Sequence, residues 1–119
     1  LSGLSADFII SLNILNQLDI LLIDYLDRFI KIPEDDKKKF RARIQKQHID
    51  LLPAGGSCLI SDVEERVLNR DNSLVSKKKL SYTKLPQGNR QDEWTWTFDT
   101  RGEYNKGYLT EMLVRAIQL

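Results

Sequence analysis

The sequence predicts an α+β domain: a long central N-terminal helix packed with two or three shorter helices and a small antiparallel β-hairpin or sheet. Three observations carry this expectation. Residues 8–32 repeat apolar side chains at the helical period. Residues 93–98 alternate at a period of two, with Trp94, Trp96 and Phe98 on one side and Thr95 and Thr97 on the other. Shorter segments between and after them carry helix-start signals and three-four apolar spacings.

On a wheel of about 100° per residue, Asn13, Asn16, Gln17, Asp24, Asp27, Arg28 and Lys31 fall in one narrow polar stripe. Apolar side chains cover nearly all the rest, so this helix needs cover on two or three sides. That cover comes either from the chain itself or from a second copy. Leu15, Leu18, Leu22, Tyr25 and Phe29 keep a spacing that suits a helix pair, and they form the candidate oligomer interface. A membrane span is rejected. It needs about 20 predominantly apolar residues, and Asp19, Asp24 and Asp27 interrupt the run.

Pro33, Glu34, Asp35 and Asp36 read as the start of a second helix, with proline first and acids in the first turn. Its Phe40, Ile44, His48 and Leu51 share a face. Residues 37–46 hold six bases and no acid; Lys38, Lys39, Arg41, Arg43 and Lys46 make a secondary basic patch. Residues 52–57 are a turn, and Cys58–Ile60 a short buried strand. Ser61 to Glu64 fits a capping box opening a short helix from Asp62 to about Arg70. Residues 74–100 read as a hairpin with arms at Lys78–Leu85 and Glu93–Phe98. A last helix is expected from about Tyr104 to Leu119.

The length, 119 residues, implies a single domain. The chain begins at Leu1 and its one methionine is Met112, which suggests a fragment of a longer protein. A net charge of +1 marks no global nucleic-acid or membrane binder. One cysteine excludes an intrachain disulfide framework and points to a reducing, cytoplasmic compartment.

Catalytic constellations fail by inventory, so the reading is non-catalytic. The single histidine, His48, sits on an apolar helix face, and Cys58 sits in an apolar run. Structural zinc needs about four such ligands, so neither a metal site nor a cofactor is expected. Basic charge interleaved with aromatics in the hairpin suits phosphate contact with base stacking. The candidate ligand-binding residues are Lys77, Lys78, Lys79, Tyr82, Lys84 and Arg90. A winged-helix reading fails because the segment from Asp62 to Arg70 carries three acids against two bases.

These readings converge on a self-associating module that binds an anionic nucleotide or nucleic acid without membrane contact. The alternative is a protein-interaction or assembly module that uses the apolar face of the first helix.

Overall fold

The computed structural model describes residues 5–119. It holds five strands and two helices among the described residues: β1 (Ile9–Leu12), α1 (Ile20–Asp27), α2 (Glu34–Asp50), β2 (Ser57–Leu68), β3 (Leu74–Lys79), β4 (Arg90–Asp99) and β5 (Leu109–Gln118). The strands form one mixed sheet in the order β1-β2-β5-β4, with β3 also paired to β2. The expected architecture, a long central helix packed by shorter ones, is therefore wrong. The organising element is β2.

Strand β2 pairs with three partners. Its first four residues run parallel to β1, in the register Ile9↔Ser57 to Leu12↔Ile60. Its second half pairs antiparallel with β3, from Leu68↔Leu74 to Glu64↔Lys79. Its other edge pairs antiparallel with β5 along nearly its full length. A register shift between Asp62 and Glu64 leaves Val63 as the extra residue of a bulge. The Val63 carbonyl accepts the Leu80 amide at 2.9 Å instead.

The long N-terminal helix is replaced by β1, a set of turns and the eight-residue α1. Asn13 adopts a left-handed φ of 51°, which stops any helix there. Its side chain donates to Asp62 Oδ2 at 3.0 Å and accepts the Asp62 amide at 3.3 Å. Asn13, read as part of a polar stripe on a helix, is thus a tertiary partner of Asp62. The expected short helix from Asp62 to Arg70 is the second half of β2, so the capping-box signal was false. The expected C-terminal helix is β5. The expected hairpin does not exist as drawn: β3 pairs with β2, β4 pairs with β5, and residues 80–89 are irregular.

Helix α2 stands where the sequence placed it, with Pro33 just outside it as N-cap and three acids in its first turn. Its C-terminal end packs over the β1 end of the sheet. There Leu15, Leu52 and Leu59 form the buried cluster, joined by Ile9, Ile49, Leu85 and Leu119. His48 Nε2 lies 2.7 Å from Ser11 Oγ, so the histidine is a satisfied, half-buried residue. Burial lowers its pKa from the ordinary imidazole value.

Candidate ligand-binding groove

One α2 residue fixes the wall of the site. Gln45 is 0% exposed. Its Nε2 donates to the Leu80 carbonyl at 3.0 Å, and its Oε1 accepts the Tyr82 amide at 2.7 Å. These two bonds pin the segment after β3 against α2. A buried amide used in this way positions backbone with little tolerance, because an unpaired partner is costly.

That pinning brings two basic segments together. A groove of about 660 Å³ is lined by Lys37, Lys38 and Arg41 of α2 and by Lys78, Lys79 and Tyr82. Not all of these cations are free. Lys37 Nζ pairs with Asp27 at 2.8 Å and Glu34 at 3.2 Å. The Asp27 carboxylate is the main reason that its pKa is raised. Arg41 Nε lies 2.8 Å from Asp19 Oδ2, an ion pair without good hydrogen-bond alignment. Arg41 Nη1 also donates to Tyr82 Oη at 2.9 Å. Lys38, Lys78 and Lys79 have no carboxylate within ion-pair distance among the described residues.

A second hollow, of about 550 Å³, adjoins the first; Arg41, Lys78 and Tyr82 line both. One side is aromatic. Trp96, Phe98 and Tyr104 form a chain of edge-on rings with centroids 5.2 and 5.0 Å apart. The lining also carries the acids Asp24, Asp62 and Glu65, the amides Asn13, Asn16 and Gln17, and the cations Arg41 and Lys78. Asp62 is buried, and desolvation raises its carboxyl pKa against the opposing bond from Asn13. Burial raises Asp19 in the same way, and the Arg41 charge offsets part of that. Asn16 Oδ1 has no hydrogen-bond partner among the described residues.

The chain matches no protein-family model, no curated protein and no solved structure. The site therefore rests on its own geometry.

The structure assembles part of the sequence-derived set and disperses the rest. Lys78, Lys79 and Tyr82 share the groove with Lys38 and Arg41. Lys77, opposite Arg66 on β3, does not line it. Lys84 lines a different hollow with Thr83, Leu85 and Arg115. Arg90 sits at the start of β4 and pairs with Asp92 at 3.2 Å. Lys39 and Arg43 are exposed outside the groove, and Lys46 pairs with Asp50 at 2.6 Å. The carboxylates of the second hollow were missed. Asp62 and Glu65 were both read as part of a short helix, and no local pattern marks an acid on a bulged strand.

The helix-pair set also divides. Leu15 is in the core, while Leu18, Leu22, Tyr25 and Phe29 are exposed, Phe29 at 70%. Leu21 beside them is 81% exposed. Among the described residues, no helix is long and apolar enough to cross a membrane. No group of three His, Cys, Asp or Glu side chains among them is placed to hold a metal ion.

Proposed function

We propose that this chain is a non-catalytic, self-associating module that binds an anionic nucleotide or nucleic-acid ligand. The observation that supports this reading is the meeting of Lys38 with Lys78 and Lys79, forty residues apart in sequence, around one groove with no acid paired to them. Lys79 and Lys78 stand opposite Glu64 and Glu65 in the β2–β3 register without a close ion pair, and cations facing a concave surface favour phosphate, which such groups bind as point charges. The groove volume of about 660 Å³ lies within the range for small ligands and suits a nucleotide. Tyr82 Oη and Ser81 add hydroxyl donors to the same wall.

The test is titration calorimetry with ADP and with a short single-stranded RNA at low salt. Lys78→Glu and Lys79→Glu are expected to weaken binding at least tenfold each, and the affinity is expected to fall steeply with added salt. Lys77→Glu, outside the groove, serves as the control and should bind like the parent. Absence of binding by either ligand at low salt sinks the proposal.

A specific observation favours the assembly reading beside it. Leu18, Leu21, Leu22, Tyr25 and Phe29 expose apolar surface within one short stretch, and contiguous patches of that kind mark association surfaces. Replacing Leu18 and Leu22 together by glutamate is expected to convert an oligomer to a monomer that keeps its circular-dichroism spectrum. Light scattering that finds the same mass before and after the change, in a folded protein, counts against this version.

A further inference from the structure

The second hollow has a chemistry that the phosphate groove does not explain. Its aromatic side offers stacking surface: Trp96 and Phe98 project from β4, and Tyr104 closes the row at 5.0 Å from Phe98. All three rings are exposed, Trp96 at 46%. The rest of the lining mixes the acceptors of Asp24, Asp62 and Glu65 with the donors of Arg41, Lys78 and the side-chain amides of Asn13, Asn16 and Gln17. Asp62 takes one bond, from Asn13 to Oδ2, and Glu65 takes one, from Asn105 to Oε1 at 3.2 Å. Each carboxylate has lone pairs to spare. Asn16 Oδ1 takes none. At Asp62, Glu65 and Asn16 Oδ1 a planar guest is therefore favoured when it presents N–H donors rather than oxygens.

The two hollows share Arg41, Lys78 and Tyr82 as a common wall. A ligand with its phosphate on Lys38, Lys78 and Lys79 can thus extend past Tyr82 into the aromatic hollow. We infer that this hollow holds the base of the bound nucleotide and selects a base bearing an exocyclic amine, through Asp62, Glu65 and Asn16 on one side and Trp96 and Phe98 on the other. This rests on the nucleotide reading above and adds the identity of the base. Cytosine and adenine place an amino group where uracil and hypoxanthine place a carbonyl oxygen. The first makes a charge-assisted bond to a carboxylate; the second sets oxygen against oxygen there. Sites built around such bonds discriminate strongly against the partner that lacks them.

The experiment compares matched monophosphates, CMP with UMP and AMP with IMP, by calorimetry and by tryptophan fluorescence, with ribose 5-phosphate and inorganic pyrophosphate as base-free probes. The amino member of each pair is expected to bind at least tenfold more tightly than its carbonyl counterpart, and to quench tryptophan emission. Glu65→Gln and Asp62→Asn are each expected to shrink the CMP-to-UMP ratio without weakening pyrophosphate binding, since neither removes a cation and Glu65 stands opposite Lys78. Two variants are needed because Asp62 also holds Asn13, and Glu65 keeps the test open if Asp62→Asn fails to fold. Lys78→Glu should weaken every probe, the base-free ones included. Equal affinity for CMP and UMP, or ribose 5-phosphate binding as tightly as CMP, overturns the base assignment and leaves the phosphate groove standing. If pyrophosphate and all the nucleotides fail to bind, the phosphate groove falls with it.

Discussion

Replacing Gln45 with leucine should both destabilise the protein and loosen its ligand groove. The side chain is fully buried and satisfies two backbone groups, the Leu80 carbonyl and the Tyr82 amide. Leucine fills similar space but leaves both without a partner. An unsatisfied buried backbone group costs about 1–3 kcal/mol, so two give about 2–6 kcal/mol. Water reaching the segment from the groove side reduces that, and about 3 kcal/mol is expected. Unfolding entropy near 2.1 cal/mol/K per residue gives about 0.25 kcal/mol/K for a chain of this size. The expected fall in Tm is therefore about 12 °C. Two assays separate the consequences. Urea denaturation reads the stability loss. Amide hydrogen exchange reads the Tyr82 N–H, which should lose protection by more than the global change explains, because the wall of the groove has come free of α2. A variant with unchanged urea midpoint and unchanged Tyr82 exchange would refute the claim that Gln45 holds this wall.

Two further predictions concern the scaffold. Gly88→Ala would place a Cβ against the Gln118 carbonyl oxygen and 2.6 Å from Ile117 Cγ2. Overpacking of that kind costs about 1–3 kcal/mol, so thermal unfolding should show a Tm lower by about 4–12 °C; an unchanged Tm would mean that the loop is not seated on β5. His48, whose pKa is lowered by burial, should make the protein less stable in acid. The unfolded chain takes up its proton first, at the ordinary value of about 6.5. Stability should hold above that pH and fall as pH drops from there toward the lowered folded value. His48→Gln should remove that part of the slope in Tm against pH.

The legible parts of the fold were those with a single strong local signal. The helix from Glu34 combines a proline, three acids and a long basic face, and no tertiary pairing competes with it. The strand at Trp94–Phe98 is an edge strand, and its aromatic–threonine alternation marks it although both of its faces are exposed. The illegible parts are the central strands. β5 is covered on both faces, with Thr110, Met112 and Val114 buried on one and Ile117 on the other. A run apolar at both parities reads equally well as a helix. In β2 the bulge at Val63 shifts the alternation halfway, and Ser61 to Glu64 imitates a helix cap. The error over residues 8–32 was of another kind. The helical period is present, but Asn13 and Asp19 spend their side chains on Asp62 and Arg41, which no local pattern reveals.

The site shows the same division. The lysine blocks were visible as charge, and their meeting was not, since it depends on Gln45 holding the chain after β3. An interior glutamine in a strongly basic helix carries no signal of its role. The acids facing the aromatic row were hidden by their assignment to a helix.

The threefold pairing of β2 also sets an order of assembly. Its partnership with β3 closes over the short turn at residues 69–73, held by Asn72 at a φ of 65° and by the Asn69 amide on the Ser73 carbonyl at 2.8 Å. A hairpin of this kind forms in about 1–10 μs. Its partnership with β5 joins segments with some forty residues between them. Such long closures are slow, because chain entropy is lost before the contacts are gained. The β2–β3 ribbon is thus an early piece. The aromatic strand closes locally on β5 over residues 100–108, so the late step is the joining of that second ribbon to β2.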